Sequence, residues 1–195
     1  MGASMASKEE TSGFDRIRNI LNKKAGMTVA YNLEKENPTD VEEWISTGSR
    51  WLDGIICKGQ LAGVPVGKVT EVAGLESSGK SYLAAQVAAN AQKMGIQVVY
   101  FDSESALDSS FLNRAGCDLN GLIYTQAKSV EFVFDAIETL LKDTDDKYLF
   151  IWDSYAFTPC EAELEGGYNP RSDIALKARI SVSYTHLRAH ETPEH

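Results

Sequence analysis

The octet Gly74-Leu75-Glu76-Ser77-Ser78-Gly79-Lys80-Ser81 fits the pattern G-x-x-x-x-G-K-[ST], a loop whose backbone N–H groups converge on an anion. A triphosphate needs such convergence, because its oxygens carry more charge than a few side chains could match without clashing. Glycine at 74 and 79 leaves out the Cβ atoms that would hold backbone away from phosphate. Lys80 supplies a cation for the terminal phosphates, and the Ser81 hydroxyl can sit on a Mg²⁺ ion. An accidental match is the competing explanation, but the four fixed positions coincide in about one chain of this size in a hundred. The expected ligand is a nucleoside triphosphate with Mg²⁺.

Carboxylates elsewhere could complete a hydrolytic site. Asp153 closes the apolar run Tyr148-Leu149-Phe150-Ile151-Trp152, where a second acid would orient the waters of Mg²⁺. Glu104 lies just past a strand ending at Phe101-Asp102. A carboxylate there could take a proton from water attacking the terminal phosphate. Asp102 and Asp108 compete for that role, and each could instead cap the helix expected near Ser109. Spacing alone leaves the choice open.

The elements that must position these groups alternate. Lys68-Val69-Thr70-Glu71-Val72-Ala73 reads as a strand opened by Pro65 and Gly67, and residues 82–94 read as a helix stopped by Gly95. That helix would point its N-terminus at the phosphates. Residues 96–101 and 148–152 are nearly all apolar, as strands covered on both faces are. A further strand is expected at 122–125. Ser129 is placed to cap a helix with Val130, Val133, Phe134, Ile137 and Leu140 on one face. The pattern predicts an α/β fold with a mostly parallel sheet, whose ligands bind at the carboxyl ends of strands. Upstream, Ser12 and Asp15 suggest a capping box for a helix carrying Phe14, Ile17, Ile20 and Leu21. Lys23 and Lys24 close that helix, and residues 32–40 look like a polar linker.

The chain has 195 residues, 43% hydrophobic and 24% charged, enough for one domain with a real core. No apolar run reaches the roughly 20 residues of a membrane span, and the small, polar start does not resemble a signal peptide. Cys57, Cys117 and Cys160 are odd in number and far apart. Buried thiols in a reducing cytoplasm are expected rather than disulfides or zinc. A net charge of −9 argues against a generally basic nucleic-acid footprint but leaves room for local loops.

Several blocks resemble the RecA recombinase family: Ile45-Ser46-Thr47-Gly48-Ser49 with Leu52-Asp53, the octet, Phe101 through Asp108, Asp153-Ser154, and Thr158-Pro159 with Glu163-Leu164-Glu165-Gly166. They run in the family's order from about Phe14 to Ile180. The resemblance implies a RecA-type P-loop core and an ATPase that forms helical filaments on single-stranded DNA, pairs it with duplex DNA and exchanges strands. It implies Glu104 as the catalytic glutamate, Asp108 on the adenine amino group and Phe111 on the adenine ring. Gln126 falls in a block linked to DNA pairing. Gly166, Gly167, Tyr168, Asn169, Pro170, Arg171 and Ser172 occupy the place of the first DNA-binding loop, with an internal sequence that departs from the common bacterial form. A hexameric helicase or clock-type ATPase shares the phosphate loop and terminal aspartate, but is not expected to combine the other blocks. A nucleotide-binding regulatory module without turnover is a third reading.

The expected organisation is an N-terminal helix and linker (1–45), a partial ATPase core (46–180) and a non-native tail (181–195). His186, His190 and His195 all lie in that tail, and their spacing around a proline makes a poor metal site. The run from Ser181 to Leu187 resembles a translated sequencing-adapter end. In the family, the strands flanking the phosphate-loop strand, the second DNA loop and the residues reaching a neighbour's ATP lie further on. The core is therefore expected to be incomplete at its C-terminal side. A phosphate-loop strand without ladder partners would leave amides unsatisfied at about 1–3 kcal/mol each, predicting a chain poorly stable alone and without DNA-stimulated hydrolysis.

Overall fold

A computed structural model describes residues 13–37, 40–60, 62–105 and 107–166, together with 177 and 180. These fall into two compact units, one ending at Glu42 and the other starting at Glu43. In the first, helix α1 spans Gly13–Ala25. Gly26 leaves it at φ 73°, its N–H bonded to Asn22 O, a left-handed stop. The Asn22 side chain then fixes the returning chain, accepting from the N–H groups of Val29 (2.9 Å) and Ala30 (2.8 Å). Asp15 pairs with Arg18 at 3.0 Å. Phe14, Ile17 and Ile20 stay exposed. The expected cap Ser12 lies outside the described residues.

The second unit opens with β1 (Trp44–Ile45), α2 (Arg50–Ile56) and β2 (Val64–Pro65), and β1 and β2 pair antiparallel. Helix α3 (Lys80–Lys93), strand β3 (Gln97–Asp102), helix α4 (Ser109–Ala115), strand β4 (Leu122–Gln126), helix α5 (Val130–Asp143), strand β5 (Tyr148–Asp153) and helix α6 (Glu161–Leu164) follow. β3 is central in a parallel sheet of order β4-β3-β5. Asp102 sits opposite Gln126 on one side and Asp153 on the other.

Alternation explains the core. Val98 and Tyr100 of β3 pack with Ala85, Ala88 and Ala91 of α3 and Leu112 and Ala115 of α4. Val99 and Phe101 face the other way, onto Val133, with Phe132 and Ile137 around it. Successive strand side chains point to opposite faces. A strand covered on both faces must therefore be apolar throughout, as 97–102 nearly is. Small alanines let α3 lie close on the sheet. Ser129 caps α5, accepting from Phe132 N at 3.0 Å.

One expected strand does not form. Residues 68–73 are irregular, with Val69 94% exposed and Val72 49% exposed. Extended backbone becomes a strand only when ladder hydrogen bonds satisfy it. Among the described residues this segment has no strand alongside it.

Candidate functional site

The phosphate-loop octet turns back on itself before α3. Ser78 N–H donates to Leu75 O at 3.3 Å, and Ser77 has φ 55°. A Cβ on Gly74 would meet Ser78 Oγ at 2.8 Å. Gly79, the residue capping α3, has φ 94° and brings no side-chain cap. Gly79 is thus required by its left-handed backbone, while a Cβ at 74 would make the Ser78 hydroxyl turn away. The N–H groups of the first turn of α3 are left without a side-chain partner from the cap, which is how a helix end receives an anion. Lys80 Nζ donates to Gly74 O (3.1 Å) and Leu75 O (2.8 Å), so its ammonium sits over the loop. Ser81 is half-buried in the first turn, whereas Leu75 and Glu76 are exposed.

At the carboxyl end of the sheet, Asp102 is buried and organises the segment after it. Its Oδ1 accepts from the N–H groups of Glu104 and Ser105, both at 2.9 Å. Its Oδ2 accepts from Leu107 N–H and Tyr124 OH, both at 3.1 Å. A carboxylate so occupied is a backbone anchor. Glu104, by contrast, is exposed and has its backbone fixed by that anchor. This separates two of the acids that spacing could not.

Asp108 caps α4, accepting from Ser110 N–H at 2.9 Å and from Ser110 Oγ. The Ser110 hydroxyl and N–H together hold its carboxyl below the ordinary range. Phe111 is half-buried against the core, and its ring meets Tyr82 edge to face at 5.9 Å. The first turns of α3 and α4 are therefore in contact, which brings the phosphate loop and the segment after β3 to the same side of the sheet.

Asp153 ends β5 beside Asp102, and the peptide joining it to Ser154 is cis. Its Oδ2 accepts from Tyr100 OH at 2.8 Å. Burial pushes the Tyr100 hydroxyl far up, and the Asp153 carboxylate adds to this. Tyr100 is thus a fixed donor. Ser154 Oγ is buried with no hydrogen-bond partner among the described residues. Gln126, at the end of β4, donates to Ser105 Oγ at 3.2 Å.

Two supports went unread in the sequence. Tyr100 stands in an otherwise apolar run, and a buried tyrosine needs a partner for its hydroxyl; that signal was there. Asp53 is the other. Burial raises its pKa, but Ser46 Oγ (2.6 Å), Thr47 Oγ1 (2.6 Å) and Thr47 N–H (2.8 Å) outweigh that and hold it below the usual value. Asn90 of α3 donates to Ser46 O at 2.9 Å, so this cluster is seated on the phosphate-loop helix.

Gly166 is exposed with φ 73°. Gly167, Tyr168, Asn169, Pro170, Arg171 and Ser172 lie outside the described residues, as does the tail from 181. Cys117 and Cys160 are buried and Cys57 is half-buried, all three as free thiols. Among the described residues no cluster of His, Cys, Asp and Glu could hold a metal ion unaided. No described helix is long and apolar enough to cross a membrane.

A family model for the RecA N-terminal domain matches residues 14–190. The chain is similar to Protein RecA of Streptomyces avermitilis, 38% identical over 145 residues, 74% of this chain and 37% of that protein. It is 38% identical over 152 residues to Protein RecA of Mesoplasma florum, covering 78% of this chain and 43% of the relative. With Protein RecA of Mycoplasma genitalium the identity is 35% over 173 residues, 84% and 49% of the two chains. This sequence thus spans half or less of the length of each of these relatives. With the matched region reaching from α1 past α6, the chain belongs to the RecA family.

Proposed function

We propose that the protein carrying this chain is an ATP-dependent recombination and repair protein. It forms a helical filament on single-stranded DNA and exchanges strands with a duplex. Its ATP site takes the polyphosphate on the backbone of residues 74–79 and the N-terminus of α3. Lys80 balances the phosphate charge, and Asp108 and Phe111 are assigned to the adenine. Glu104 accepts a proton as water adds to the terminal phosphorus and the bond to the leaving diphosphate breaks. DNA contacts are assigned to Gly166 and residues 167–172.

The donor set fits Mg²⁺. That ion keeps several waters and needs few protein oxygens, so Ser81 and Asp153 are assigned to it, no cluster of acids being present among the described residues. Ser154 Oγ, buried and unpartnered beside Asp153, is the sort of atom that a metal-bound water satisfies. Mg²⁺ supplies neutralisation of charge on the phosphates. The chain's part is to hold Asp153 through Tyr100 and to keep the Glu104 backbone on Asp102.

The observation that carries this reading is the pairing of Gly79, left-handed and without a side-chain cap at the head of α3, with Asp153 at the end of β5 and the exposed Glu104 two residues past the end of the neighbouring β3. Its test is ATP binding and hydrolysis by a longer reading frame that contains this chain. Lys80→Ala should weaken ATP binding about 100-fold, the scale of lost hydrogen bonds to a charged group. Glu104→Gln should leave binding intact and slow hydrolysis by about 100-fold or more. Binding and turnover that survive Lys80→Ala would end the proposal.

A further inference from the structure

We propose that Ser103 is a positioning residue that couples Glu104 to Asp153, an inference that rests on reading this site as an ATP-hydrolysing one. Ser103 stands between Asp102, the last residue of β3, and Glu104. Its hydroxyl takes a hydrogen bond from Ser154 N–H at 2.8 Å and gives one to Ser154 O at 2.9 Å. Its own N–H donates to Asp153 O at 2.9 Å. One small residue thus makes two bonds to Ser154, 51 positions away in sequence, and one to Asp153 at the end of β5.

The parallel ladder between β3 and β5 ends at the pair Asp102 and Asp153. Beyond it, one further backbone bond, Ser103 N–H to Asp153 O, and the Ser103 side chain carry the connection. Ser103 does so with a hydroxyl used as both donor and acceptor, its full complement for one backbone unit. The far side of Ser154 is fixed as well, because its carbonyl also accepts from Thr158 Oγ1 at 3.1 Å. Trp152 Nε1 in turn donates to that Thr158 oxygen at 2.7 Å. Ser154 therefore has a pinned backbone and a side-chain oxygen with no partner among the described residues. The acid placed for Mg²⁺ and the acid placed for water are held in fixed relation by the residue between their strands.

The experiment compares Ser103→Ala and Ser103→Thr with the unaltered protein, in a longer reading frame that contains this chain. Exchange of the Ser154 amide hydrogen, the Mg²⁺ concentration for half-maximal hydrolysis, kcat, and affinity for ATP without Mg²⁺ are measured. Ser103→Ala should speed Ser154 exchange about fivefold, the factor that one ordinary hydrogen bond supplies. It should raise the Mg²⁺ requirement and lower kcat by a similar factor, leaving affinity for metal-free ATP unchanged. Ser103→Thr, which keeps the hydroxyl, should restore all of these to within about twofold. Unchanged exchange at Ser154, or unchanged Mg²⁺ requirement and kcat, would overturn the coupling while the ATPase reading stood. A loss of metal-free ATP affinity in Ser103→Ala would overturn it too, by revealing a general structural role. An unaltered protein that binds no ATP would sink the underlying reading, and this role with it.

Discussion

Residues 74–79 are tied mainly to themselves, whereas residues 102–105 are tied to β4, to the end of β5 and to Leu107 ahead of α4. In the phosphate loop the bonds run from Ser78 to Leu75 and from Lys80 to Gly74 and Leu75, all within one turn of chain. After β3, Asp102 reaches Tyr124 and Ser103 reaches Ser154. The first region has its chemistry written into a contiguous pattern and draws little from the core. The second has unremarkable local sequence and takes its shape from distant partners. Substitutions in the first region should therefore cost function with little stability, whereas the anchoring residue of the second, Asp102, should cost stability.

Phe101→Ala should show the largest loss. Its ring is fully buried between β3 and α5, and about 3–5 kcal/mol is expected from such a deletion, read as a shift of the urea midpoint. Asp102→Ala comes next at about 2–3 kcal/mol, since hydrogen bonds to a buried carboxylate exceed neutral ones. Amide exchange at Glu104 and Ser105 should rise with it. A loss below that of an ordinary surface change would mean that the turn after β3 is held by something else.

Asp53→Asn should cost about 2 kcal/mol near neutral pH. Because its folded pKa is depressed, the stabilisation is complete above the unfolded value of about 3.9 and fades as pH falls through the lower folded value. The variant and parent midpoints should then converge on acidification. Divergence instead would reverse the assignment of Asp53 as a charged acceptor. The smallest effects belong to the phosphate-loop region: Val69→Ser and Lys80→Ala should each change stability by under about 0.5 kcal/mol. A substantial loss from Val69→Ser would show that residues 68–73 are packed after all.

What could be read in the sequence follows the same division. β3 and β5 were legible because strands covered on both faces must be nearly continuous apolar runs. α5 was legible because Ser129 precedes a helical stripe. The octet was legible because its geometry demands particular residues in a row. Residues 68–73 have the composition of a strand, yet strand formation depends on neighbours that local composition cannot supply. Asp102 and Glu104 looked alike by spacing, and only the bonds at 102 show which is the anchor. Ser103 gave no signal at all, because its meaning lies in Ser154, far along the chain.

Trp152 has a consequence of its own. Its indole is clamped by Thr158 and meets Phe134 and Tyr155 edge to face, one residue before Asp153. Of the other two tryptophans, Trp51 is 86% exposed. A water-soluble quencher should darken Trp51 first and leave emission from the half-buried Trp44 and Trp152, so that with Trp44→Phe the remainder is an optical reporter adjoining Asp153.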